Sequence, residues 1–196
     1  MQLQTKHANR KSCKRYNFPG HCHELTFGCY RGHPLLGFEQ SCIFLSETIQ
    51  KAQAKHSFTV WAYAFMPEHV HLLIYPMKRE YSISSILQSI KQPVSRKFKL
   101  YAQTEKPELL KLTATGLKSS PFRFWQAGGG YDRNITNIDT AINVIRYIHN
   151  NPVRRKLVKH PKEWRYSSYK DWENDENGPI VIDKSLSRKQ TRPNGV

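Results

Sequence analysis

The chain has 196 residues, 38% of them hydrophobic, enough to bury one core without cross-links, and no Gly/Ser/Pro linker divides it into two apolar halves. Its 31 Lys and Arg against 15 Asp and Glu leave a net charge of +16, well beyond what solubility requires, so a polyanionic partner is expected. No stretch approaches the roughly 20 apolar residues of a membrane span and no signal-peptide pattern opens the chain, which favours nucleic acid over a membrane as that polyanion.

In chain order, the segment HCHELTFGCY (21–30) follows the Pro19-Gly20 turn and carries the aromatic and Thr content of a first strand. Its histidines, His21 and His23, fall on one strand face, with Cys22 on the other. The four cysteines, Cys13, Cys22, Cys29 and Cys42, form no C-x2-C unit and read as reduced, buried or half-buried thiols of a cytoplasmic protein. From Glu39 to Lys55 the apolar residues Phe44, Leu45, Ile49 and Ala52 recur at helical intervals. SFTVWAYAF and HLLIYP are apolar runs separated by Met66-Pro67-Glu68-His69-Val70, short enough for a hairpin.

A second helix is predicted from the period of Ile83, Ile86, Leu87, Ile90, Val94 and Phe98, with a kink at Pro93. Residues 101–120 read as an insertion or loop, and FRFWQAGGGYD (122–132) as a strand or packed edge. A last helix starts at Asn137 or Asp139, either of which can cap it, ends at Asn151-Pro152, and faces the core with Ala141, Ile142, Ile145 and Ile148. The βαββαβα order predicts an α+β domain built on a mainly antiparallel sheet with packed helices, for which a ferredoxin-like sheet is a natural solution.

Two places carry chemistry. His69-Val70-His71 puts two imidazoles on one side of a strand and Val70 on the other, a spacing that can hold a metal and that also arises by chance. Near the end of the last helix Tyr147 and Asn151 stand four apart on one face, so a nucleophile and an amide ligand could meet one metal. The same pair also suits an aromatic packed on the sheet and an Asn finishing the helix before Pro152. Tyr131, beside Gly128-Gly129-Gly130, is the competing nucleophile. His149 lies about 200° around the helix from Tyr147 and reads as packing or substrate contact.

FMPEHVHLLIYP, ILQSIKQ, FRFWQAGGGYDRNI, YIHNNPVRRKLV and EWRYSSY, in that order, resemble the signatures of the REP-associated tyrosine transposases, a branch of the HUH single-strand transposases akin to those of small insertion sequences. The resemblance spans roughly residues 16–172 as one catalytic domain, between a basic flexible N-terminus (1–15) and a polar, flexible tail (173–196). It implies the HUH endonuclease fold, one catalytic tyrosine carried by Tyr147, and metal ligands carried by His69 and His71. Insertion-sequence relatives take a third ligand four residues after the tyrosine, usually Gln; here Asn151 stands there, a shorter amide, and Glu68 is the fallback, which strand alternation would turn away from the histidines. The implied activity is metal-dependent cleavage and joining of hairpin-forming single-stranded DNA through a 5′-phosphotyrosine, supported by Mg²⁺ or Mn²⁺. The alternative is a non-catalytic or domesticated DNA-hairpin-binding protein. Monomer and homodimer are both open.

Residues proposed to contact DNA are Lys91, Arg96 and Lys97 on the second helix, Arg133, and Arg154, Arg155, Lys156 and Arg165 in the basic stretch 154–170, which holds seven Lys or Arg against one acid. Trp164, Tyr166 and Tyr169 interleave with them, as base-stacking platforms or as core. Residues 171–183 carry five acids and no base, and residues 184–196 four bases, a pattern open to autoinhibition or to strand guidance.

Overall fold

A computed structural model describes residues 15–174 and 178–186. Strand β1 (Cys22–Gly28) leads through two single 3₁₀ turns into helix α1 (Glu39–His56). The hairpin β2 (Phe58–Phe65) and β3 (His69–Pro76) follows, then α2 (Ile83–Thr104), the short α3 (Leu110–Thr113), β4 (Tyr131–Ile135), α4 (Ile138–Arg154) and α5 (Tyr169–Asn174). The sheet order is β2-β3-β1-β4 with every neighbouring pair antiparallel, the ferredoxin-like arrangement expected from the element order.

Strand alternation divides the core into two layers. Leu25 and Phe27 of β1 join Val70, Leu72 and Ile74 of β3 in a cluster with Leu45 and Ile49 of α1 and Ile86, Ile90, Val94 and Phe98 of α2. The other face of the sheet, with Cys22, Ala62, Ala64 and Leu73, packs against Ala141, Val144, Ile145 and Ile148 of α4. The α4 stripe is therefore 141-144-145-148, with Val144 rather than Ile142 completing it. Asn137 starts this helix, its side chain accepting from the Asp139 and Thr140 amides at 2.8 and 3.1 Å.

Three local expectations need correction. Helix α2 runs as one helix through Pro93, where the sequence predicts a kink: Ile90, Val94 and Phe98 on either side are wholly buried, and that packing outweighs the roughly 3 kcal/mol a helical proline costs. The last strand is YDRNI; the aromatic segment before it makes single bridges, Cys29 to Trp125 and Ala114 to Phe122. Residues 107–113 fold into helical turns that bury Leu109 and Thr113.

His23 is fully buried and holds Asp132 and Tyr81, each at 2.8 Å, while Arg15 joins Asp132 and the Gly129 carbonyl. Cys22, Cys29 and Cys42 are free and buried, and burial pushes each thiol up to about 12; Cys13 lies outside the described residues. Residues 178–186, assigned to the tail by composition, lie against the domain: Ile180 is wholly buried, and the Asp183 amide donates to the Val60 carbonyl at 2.8 Å. Among the described residues no helix is long and apolar enough to cross a membrane.

Candidate active site

The two histidines open β3, where alternation sends fully buried Val70 into the α1–α2 layer and both imidazoles to the α4 side. Thr26 is the cross-strand partner of His71, and Gly28, without a side chain, that of His69. Each imidazole is held by its Nδ1: His71 by Thr26 Oγ1 at 3.1 Å and His69 by Glu68 Oε1 at 3.1 Å. The two Nε2 atoms converge to 2.9 Å. An imidazole pair fixed through Nδ1 with Nε2 directed to a common point is the donor set a later first-row cation takes, so the residues fit a divalent metal.

Electrostatics agree with that use. Burial pushes His71 down to about 4, assisted by His69 and Arg155, and burial also lowers His69 against the pull of Glu68. Both are thus neutral at neutral pH, as metal ligands must be. Glu68 is opposed by burial, but the Arg155 guanidinium at 2.8 Å and neighbouring His69 hold its carboxyl below the usual range. Glu68 therefore stands beside the pair. It precedes β3, in the hairpin turn, so strand alternation does not govern its direction.

Helix α4 brings Tyr147 over this point. Val144 and Ile148 anchor the helix on the sheet, and Tyr147, 39% exposed, meets His71 edge-on at 5.8 Å between ring centroids. The Arg154 guanidinium lies 4.9 Å from the tyrosine ring centroid. Asn151 is buried and its amide nitrogen donates to the Tyr147 carbonyl at 2.9 Å, which leaves the amide oxygen as its side-chain acceptor. Among the described residues no group of three His, Cys, Asp or Glu is placed to hold a metal. His149 faces away, buried against Ser168 Oγ at 2.9 Å and Tyr169.

A cleft of about 540 Å³ runs from His71 and Tyr147 toward β4, lined by Glu24, Thr26, Tyr131, Arg133, Thr140, Asn143 and Val144. Burial raises the Glu24 carboxyl above the usual range, against the pull of Arg133. Glu24, Thr26 and Asn143 escaped the sequence reading. The alternation of β1 around Leu25 and Phe27 was the available signal, but it needed the β1–β3 and β1–β4 registers to become informative.

The basic residues divide. Arg133, Arg154 and Arg155 surround the site, through Glu24, Tyr147 and Glu68 respectively. Lys156, exposed, follows α4 in the left-handed region. Lys91 is half-buried, over the Phe27 ring and donating to the Gly128 carbonyl at 3.1 Å, so it holds the glycine segment. Arg96 and Lys97 lie on α2, across the sheet from Tyr147, with Lys97 paired to Glu47; Arg165 pairs with Glu39 at 2.6 Å. The interleaved aromatics are engaged internally: Trp164 donates to the Phe65 carbonyl at 2.9 Å, Tyr166 stacks on Phe65, and Tyr169 meets His149 and His160 edge-on.

Among solved structures, that of a REP-associated tyrosine transposase bound to a REP hairpin superposes with a TM-score of 0.64 at 21% identity, covering 87% of this chain and 90% of that one. A Deinococcus radiodurans R1 protein described as a transposase gives 0.43 at 17% identity, over 70% of this chain and 95% of its own. No curated protein matches the sequence. The family model described as "Transposase IS200 like" matches residues 33–151, more than half of the chain and a span that holds both histidines, Tyr147 and Asn151. The chain belongs to the IS200-like transposase family.

Proposed function

We propose that this protein is a metal-dependent single-stranded DNA endonuclease and strand-transferase in which Tyr147 is the nucleophile and His69, His71 and the Asn151 amide oxygen are the ligands. The observation that carries this reading is the convergence of the two Nε2 atoms at 2.9 Å together with the half-exposed Tyr147 ring, 5.8 Å from that of His71 between centroids. A bound Mg²⁺ or Mn²⁺ would supply polarisation of a non-bridging phosphate oxygen.

The chain's own groups do the rest. The Tyr147 Oη attacks phosphorus, losing its proton to solvent; an Oη–P bond forms, the P–O3′ bond breaks, and the departing oxygen takes up a proton as a free 3′-hydroxyl. The 5′-phosphotyrosine conserves the ester, so a DNA 3′-hydroxyl reverses the step and joins strands without ATP. Arg154, beside the Tyr147 ring, and Arg155, one residue on, offer positive charge to the phosphates on either side. DNA hairpins are the proposed substrate class, in keeping with the REP hairpin bound by the structural relative.

The test is a denaturing gel for a protein–DNA adduct, with labelled single-stranded hairpins from the gene's own flanks and Mn²⁺ or Mg²⁺. An adduct that Tyr147→Phe and EDTA abolish and Tyr131→Phe retains is expected. An adduct unchanged in Tyr147→Phe would overturn the nucleophile, and hairpin binding with no adduct under any metal would assign a non-catalytic binding protein.

A further inference from the structure

Glu24 is out of place on electrostatic grounds. In a chain of net charge +16, it puts a carboxylate, with a side chain 10% exposed, into the cleft that leads away from Tyr147. Its ion-pair partner Arg133 is 46% exposed and 3.4 Å away. A half-exposed pair at that distance is worth little, and it does not offset the cost of burying a carboxylate where phosphates should lie. A buried acid beside a polyanion path is suited to a ligand part that is uncharged and donates hydrogen bonds.

The sheet register says what surrounds it. One cross-strand row runs His71, Thr26, Tyr131 over β3, β1 and β4; the next runs Leu73, Glu24, Arg133. The first row leads from the metal-binding pair to Tyr131, 49% exposed, a flat ring on the cleft rim. The second sets an acceptor and a cation side by side one step further along β1. Asn143 and Thr140 of α4 close the opposite wall. Stacking surface, cation and acceptor within one cleft of about 540 Å³ make a receptacle for one nucleotide: ring on Tyr131, phosphate on Arg133, base edge on Glu24.

We propose that this cleft reads the base of a nucleotide adjoining the scissile phosphate, with Glu24 selecting guanine. The inference rests on the single-strand reading above. Among the four bases, only guanine offers two neighbouring N–H donors, N1–H and N2–H, on its Watson–Crick edge, and a carboxylate accepts both. Adenine and cytosine pair one donor with one acceptor, and thymine places its lone N–H between two carbonyls, which face the carboxylate unfavourably. Tyr131 stacks on any base and sets affinity without setting choice.

The experiment is fluorescence anisotropy with ten-nucleotide oligothymidylates carrying one central guanine, adenine, cytosine or thymine, run on the wild-type chain, Glu24→Gln and Tyr131→Leu. Wild type should prefer the guanine oligonucleotide over oligothymidylate by about tenfold or more. Glu24→Gln exchanges one acceptor for a donor and should move the preference to adenine or cytosine. Tyr131→Leu should weaken all four by about tenfold while keeping their order. The switch to adenine or cytosine is the outcome a merely structural Glu24 would not produce.

Equal binding of the four oligonucleotides by wild type, or one ranking shared by wild type and Glu24→Gln, overturns the proposal. The adduct gel separates it from the reading beneath it. Adducts without a guanine preference sink base reading alone. A guanine preference that Glu24→Gln switches, without any adduct, sinks the nuclease and leaves base reading standing.

Discussion

His149 makes the stability of this fold depend on pH in a window that can be stated in advance. It lies on α4, two residues beyond Tyr147, 5% exposed, and burial pushes its imidazole down to about 4 from an ordinary value near 6.5. A lowered folded-state value means that the unfolded chain binds the proton more tightly, so stability is fully present above pH 6.5 and is lost as pH falls toward 4. Below about 4 both states carry the proton and the loss stops growing. Going from pH 7 to 4.5 across a shift of this size removes about 2.5 kcal/mol. His149→Gln keeps an amide within reach of Ser168 Oγ, the partner now at 2.9 Å, and removes the titration. Urea unfolding of both proteins at pH 7, 5.5 and 4.5 reads the difference directly. The wild type should lose about 2.5 kcal/mol more than His149→Gln over that range, with the steepest change between pH 6 and 4.5. Parallel stability profiles for the two proteins would refute the assignment of a buried neutral imidazole. His71, also pushed down to about 4, adds a similar slope to both proteins and cancels in the comparison.

Three further outcomes follow from local geometry. Gly130 has φ +73°, and a Cβ there would fall inside contact distance of the Thr26 carbonyl, so Gly130→Ala should cost about 1–3 kcal/mol in thermal or urea unfolding and displace the start of β4. Asn137→Ala removes the cap that accepts from Asp139 and Thr140 and should cost about 1 kcal/mol, read as a lower urea midpoint at unchanged slope. Arg154→Ala should weaken single-strand binding at every sequence alike, and flatten the plot of log K against log salt by about 0.7 if one phosphate contact is lost; an unchanged salt slope would remove Arg154 from the backbone path.

What could be read from the sequence was whatever repeats locally. His69 and His71 could be placed on one strand face because Val70 between them is apolar, and the start of α4 because Asn137 precedes an apolar period. The aromatic FRFW suits a strand or a packed edge equally, and the structure has the second: it makes isolated bridges, because its rings are used against Phe98 and Phe27 rather than in a ladder. YDRNI carries little strand propensity; β4 exists because Cys22 through Thr26 offer it a register. Lys91 shared a helical polar face with Arg96, and nothing local indicated that the glycine segment would fold over it.

The least legible part of the site is also the part fixed most firmly by the fold. Thr26 and Glu24 become neighbours of the histidine pair only through the β1–β3 pairing of Thr26 with His71, a contact across 45 residues of chain. A one-residue slip in that register would send both side chains into the α1–α2 layer and bring Leu25 and Phe27 to the site. Such a slip would bury a carboxylate among apolar residues and strip His71 of the hydroxyl that orients its Nδ1. Folding energetics and site chemistry therefore select the same register: the alternation that hides Leu25 and Phe27 under α1 and α2 is what delivers Thr26 to His71 and Glu24 to the cleft.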